Sequence, residues 1–191
     1  SITMALQKYS GLSTKKVVGM AGILDSSRFK YFLSQQLKVP IKKINTMVLG
    51  GHGDTMVPMP NQTLVDGKQL KNFIDEETLK TIVDRTRRGG AEIIKFLEKG
   101  SAFYAPAASG VEMAESYIKD LKKILPCAAY LSGEYGVKNI YAGVPVKIGK
   151  KGVEKIIEID LSDEEKKQFN FSIRAVQELF NNAKKIDNSL N

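Results

Sequence analysis

Cysteine and histidine each occur once in the 191 residues, as Cys127 and His52. A lone cysteine excludes an internal disulfide and is compatible with a reducing compartment. One of each excludes a zinc site of the usual His/Cys type, so no metal is expected. Long apolar runs are missing too, since none approaches the roughly 18 residues that span a bilayer. The opening Ser1-Ile2-Thr3-Met4-Ala5 lacks the basic stretch and apolar core of a signal peptide. The expectation is a cytoplasmic chain with no membrane partner. At 42% hydrophobic and 26% charged, its composition is that of an ordinary folded protein.

The net charge of +8 raises a nucleic-acid partner, but the required pattern is absent. Clustered Arg and Lys with interleaved aromatics do not occur. The densest group, Lys147, Lys150, Lys151 and Lys155, straddles Gly149 to Gly152 and reads as a solvated hairpin tip. No nucleic acid is expected.

Residues 3–10 read as the end of a helix stopped by Gly11, and Val17 to Met20 as a strand or extended segment. Leu24 to Leu37 reads as a helix with Asp25 or Ser26 near its start, burying Phe29, Phe32, Leu33 and Leu37 at helical spacing. Ile44 to Leu49 is strand-like, Thr55 to Pro58 extended, and Thr63 to Val65 a strand before the Asp66-Gly67 turn. A long helix opens at Asp75-Glu76-Glu77 and runs to Leu97. Its internal Gly89-Gly90 pair calls for a kink or a close contact, because each glycine costs about 1 kcal/mol against alanine there. Another helix is expected from Pro106 to Ile124. Pro126 to Leu131, Asn139 to Ile148 and Val153 to Ile159 read as an antiparallel meander. The capping box at Ser162–Glu165 then starts a last helix to Ile186. The fold class is α+β, long helices packed on antiparallel sheet, in one domain over residues 1–191.

His52 lies in the loop Gly50-Gly51-His52-Gly53-Asp54, where flanking glycines leave the imidazole uncrowded. A general base of this type needs an orienting carboxylate. Asp25 is a candidate, and Arg28, three residues on, shares its helical face. Placed in the first helical turn, Asp25 is kept ionised by the dipole. The plain alternative makes Asp25 a helix cap and Arg28 its surface partner. Together the three side chains suit an anionic hydroxy or keto acid: Arg28 grips the carboxylate, His52 moves the hydroxyl proton and Asp25 orients His52. They supply no electron acceptor.

Residues 17–29 (VVGMAGILDSSRF), 48–58 (VLGGHGDTMVP), 100–107 (GSAFYAPA) and 125–136 (LPCAAYLSGEYG) resemble the lactate/malate dehydrogenase family. Within it the chain is most similar to the bacterial lactate-dehydrogenase-like malate dehydrogenases. The resemblance implies that His52 is the proton acceptor, Asp25 its partner and Arg28 the substrate-carboxylate clamp. It also implies that Ala102 and Pro106 line the substrate pocket and that Met20 lies near the nicotinamide of NAD. A small dicarboxylate substrate and a homo-oligomer, dimer or tetramer, are implied as well.

One departure is large. The strand, Gly-x-Gly-x-x-Gly turn and later acidic residue of a dinucleotide-binding domain do not occur. Gly143 to Lys150 is one residue too long for a phosphate loop and no Ser or Thr follows, so it reads as a hairpin. The expectation is the C-terminal, substrate-binding and catalytic half of a malate dehydrogenase. Its cofactor domain, with further substrate arginines, lies upstream, and this part is inactive alone. The alternatives are a dehydrogenase of lactate or another 2-hydroxy acid and, without catalysis, a subunit-association module.

Overall fold

Inward-facing side chains recur at every second residue from Leu125 to Leu131, and this run forms the edge of the main sheet. The computed structural model describes residues 1–190. These form helices α1 (Ile2–Ser10) and α2 (Ala21–Leu37), the short strands β1 (Ile44–Asn45), β2 (Val48–Leu49), β3 (Val57–Pro58), β4 (Leu64–Val65) and β5 (Lys68–Gln69), and helices α3 (Glu76–Leu97) and α4 (Tyr104–Ile118). Strands β6 (Lys123–Ser132), β7 (Lys138–Gly149) and β8 (Gly152–Ile156) and helix α5 (Asp163–Ile186) follow.

The meander is antiparallel in the order β6-β7-β8. On β6 the alternation buries Leu125, Cys127, Ala129 and Leu131, as period-two geometry requires. Central β7 is buried without a break from Ile140 to Val146, because both of its faces are covered. Gly149 pairs with Gly152 across the β7–β8 hairpin, so the would-be phosphate loop is a turn. The smaller sheets are β1-β4-β5 and β2-β3.

Two apolar clusters form the interior. One gathers Leu125, Val144, Val146, Phe169 and Ile173 with Ile23 and Leu49. The other gathers Phe29, Leu33, Ile44, Val48, Met56, Val65 and Ile82. Helix α2 serves both through successive turns. Strand β2 serves both through adjacent residues, because Val48 and Leu49 point to opposite faces. Full burial of each such side chain contributes about 1.5–3 kcal/mol.

Several boundaries differ from expectation for physical reasons. Helix α2 begins at Ala21, so Asp25 occupies its second turn and the first-turn dipole argument does not apply. The run Ile44 to Leu49 is two strands: β1 pairs with β4, and the chain passes at Thr46-Met47 into the other sheet, where β2 pairs with β3. Helix α4 begins two residues early and stops at Ile118, where Asp120 and Lys122 take left-handed backbone angles; Ile124 belongs to β6, opposite Lys147. Helix α3 runs unbroken through Gly89-Gly90, so the pair answers to a close contact. Gly11, left-handed at φ 63°, stops α1, and the Ser162–Glu165 capping box opens α5, both as the sequence indicates.

Candidate active site

Ser26 fixes α2 against the segment that leads into the histidine loop. Its buried hydroxyl donates to the Gly22 carbonyl at 2.6 Å and accepts the Val48 N–H at 2.9 Å. Residues on this stretch of α2 therefore keep a set position relative to residues just past β2. Asp25 and His52 are those residues. His52 Nδ1 lies 2.8 Å from Asp25 Oδ2. An ionised carboxylate only accepts, so Nδ1 carries the proton and Nε2 is left to accept one.

Asp25 is 2% exposed, whereas half of the His52 side chain is open. The imidazole can meet a ligand while the carboxylate behind it stays out of water. The hydrogen bond to Asp25 raises the His52 pKa above 6.5; desolvation opposes it, the Asp25 charge adds to it, and Arg28 pulls back. The ring is thereby a stronger base than free histidine. The cap-and-surface-pair alternative does not hold, because Met20 occupies the cap position and Asp25 is buried.

Arg28 Nη1 stands 3.5 Å from Asp25 Oδ1. The arginine side chain is 11% exposed and runs across the glycine pair of α3. A Cβ on Gly89 would lie 3.3 Å from Arg28 Cδ, and one on Gly90 3.7 Å from Nη1. The contact foreshadowed by Gly89-Gly90 is thus with Arg28. Among the described residues, Arg28 Nε has no hydrogen-bond partner.

A cavity of about 540 Å³ opens beside the imidazole, lined by His52, Asp25, Met20, Gly19, Gly143 and Val176 among others. Met20 is the residue just before α2. Ala102 lies before α4 and Pro106 in its first turn, and neither lines this cavity. Cys127 takes no part, since burial pushes its thiol up to about 12. Sequence alone marks none of Ser26, Gly143 and Ser172 as a support of the site. Gly143 exchanges both backbone hydrogen bonds with Gly50 at 2.8 Å, and Ser172 accepts the Gly51 N–H at 2.8 Å. The available signal for Ser172 was a hydroxyl on the buried stripe of α5 with Phe169, Ile173 and Val176.

An imidazole oriented by a buried carboxylate, with an arginine on that carboxylate's other oxygen, is an arrangement that can exchange a proton beside a positive charge. The fold narrows the class. The chain belongs to the lactate/malate dehydrogenase family: the family's alpha/beta C-terminal domain matches residues 23–189. A malate dehydrogenase of Pelagibacter ubique (strain HTCC1062) is 64% identical over 194 residues, covering 99% of this chain and 61% of that protein. The crystal structure of Cryptosporidium parvum malate dehydrogenase superposes with a TM-score of 0.95 at 42% identity, over 96% of this chain and 60% of that one. A lactate dehydrogenase of the same organism, complexed with lactic acid and nicotinamide adenine dinucleotide, gives 0.90 at 45% identity, over 93% and 57%. The chain thus spans about three-fifths of the length of the relatives it matches. None of its helices is long and apolar enough to cross a membrane, among the described residues.

Proposed function

We propose that these residues form the proton-transfer and carboxylate-binding part of an NAD-dependent malate dehydrogenase. The observation that carries this reading is Asp25, which joins His52 at 2.8 Å through one oxygen and Arg28 at 3.5 Å through the other. Arg28 grips a substrate carboxylate through its planar fork, which fixes orientation as well as affinity. Nε2 of His52 accepts the proton of the substrate hydroxyl as the carbonyl forms. Asp25 holds the opposite ring nitrogen and stabilises the imidazolium, and in the reverse direction His52 returns the proton.

NAD, when bound, supplies the acceptor for the electron pair. The cavity suits the nicotinamide end of such a molecule, since Met20, Val18, Ala142, Val176 and Leu179 give it an apolar wall near His52. No phosphate-binding glycine turn of the dinucleotide type occurs in the sequence, so a further domain would hold the rest. Ala102 and Pro106 remain pocket residues on resemblance alone. The same reading makes the enzyme cytoplasmic and a homo-oligomer, with a small dicarboxylate as substrate.

The experiment pairs the purified 191-residue chain with a longer version that includes a nucleotide-binding domain. Each is mixed with NADH and oxaloacetate or pyruvate, and absorbance at 340 nm is followed. The reading expects oxidation by the longer protein with oxaloacetate and none by the chain alone. Preference for pyruvate would make it a lactate dehydrogenase instead.

A further inference from the structure

The histidine loop is fastened on two sides. On one, Gly50 and Gly143 of β7 exchange backbone hydrogen bonds, each 2.8 Å. On the other, the loop lies directly on α5. A Cβ on Gly50 would fall 2.5 Å from Ser172 Oγ, and one on Gly51 would fall 2.8 Å from Val176 Cγ2. Glycine is therefore required for contact with the helix, beyond leaving the imidazole uncrowded. Gly50 also holds φ at 82°, which few other residues adopt.

Within that contact one hydroxyl reaches both ends of the loop. Ser172 Oγ accepts the N–H of Gly51, just before His52, at 2.8 Å, and donates to Thr55 Oγ1, three residues after it, at 3.4 Å. Ser172 is fully buried. Buried hydroxyls inside helices ordinarily bond the carbonyl four residues back. Ser26, Thr86 and Ser109 do so here, to Gly22, Ile82 and Ala105. Ser116 and Ser172 are turned to other elements instead, Ser116 to Ile148 of β7 and Ser172 to the loop.

We propose that Ser172 is a positioning residue for His52, acting through Gly51 and Thr55 to hold the imidazole in line with Asp25. The proposal rests on the reading of His52 as proton acceptor. Asp25 comes from α2 and His52 from the loop after β2, so their 2.8 Å contact survives only while the loop keeps its place. Ser172 lies 120 residues from His52 in sequence and has no need to touch substrate.

His52 is the sole histidine, so one imidazole Cε1–H signal reports its titration in the 191-residue chain with no substrate present. Ser172→Ala is compared with Ser116→Ala. Ser116 is an equally buried hydroxyl that clips α4 to the far end of β7 at Ile148 O. Thermal midpoints of both variants register any general loss of stability. The expected result is a His52 pKa that falls toward the ordinary value in Ser172→Ala and stays unmoved in Ser116→Ala. In the longer enzyme, Ser172→Ala is expected to lower kcat about tenfold or more with KM little changed, since small misplacements of a reacting group are costly. A His52 pKa in Ser172→Ala equal to that of the native chain overturns the proposal, as does an equal fall in Ser116→Ala. Full activity of His52→Gln would instead overturn the proton-acceptor reading, a result the titration cannot mimic.

Discussion

His52 and Arg28 meet the same carboxylate but are secured by different means. The histidine loop is held by bonds that are made, to Gly143 and to Ser172. Arg28 is seated by an atom that is left out at Gly89 of α3, with Gly90 beside it at ordinary contact distance. The first arrangement fails when a donor or acceptor is removed, and also when a methyl is added at Gly50 or Gly51. The second fails when a methyl is added. In the proposed roles, His52 needs a fixed distance to Asp25 to move a proton, whereas Arg28 needs room for an incoming carboxylate.

Removing the base is the largest way to break the pair. On the proposed role, His52→Gln in the version that includes a nucleotide-binding domain should lower kcat about 10²–10⁴-fold, the usual contribution of a positioned acid–base group. Steady-state kinetics with oxaloacetate check this. Next in size is Gly89→Ala, which places its Cβ 3.3 Å from Arg28 Cδ and displaces the guanidinium by a few tenths of an ångström. KM should rise about tenfold, some 1.4 kcal/mol, with kcat nearly kept. Helix propensity favours alanine by about 1 kcal/mol, so the thermal midpoint should not drop through any helix defect. A raised KM at an unchanged midpoint would separate seating from stability.

The pH response sharpens the comparison further. The folded pKa of His52 is raised, so its contribution to stability is full below the ordinary value of 6.5 and is lost as pH climbs through the folded value. Thermal melts from pH 6 upward should show this loss, and Asp25→Asn should flatten it. The surface carboxylates Asp66, Asp75, Glu92 and Glu115, the last two half-buried, have lowered pKa values, led by hydrogen bonds to Lys43, Thr78, Arg85 and Lys119, and act only at the acid end. Smallest for function is Ser162→Ala. It removes the acceptor for Glu165 N–H and should cost about 1 kcal/mol in stability by chemical denaturation, with kcat unchanged.

Much of this arrangement is legible in the sequence wherever the cause is local. The capping box, the left-handed Gly11 and the period-two run of β6 each declare an element through its own residues. Asp25 and Arg28 share a face by spacing alone. What the sequence withholds depends on distant partners. Ile44 to Leu49 looks like one strand until β4 and β3 divide it between two sheets. Asp120 and Lys122 end α4 early through backbone angles that no local preference demands. The Gly89-Gly90 pair announces a close contact, but only the packing of α2 on α3 names Arg28 as the neighbour. Ser172 looks like an ordinary helical serine until the loop is seen lying against it.

The central claim is that Asp25 holds His52 as a proton acceptor, and the single imidazole makes it directly measurable. NMR titration of His52 in the native chain and in Asp25→Asn tests it. The account predicts a native pKa above 6.5 that falls on loss of the Asp25 charge. Identical titration curves in the two proteins would contradict it.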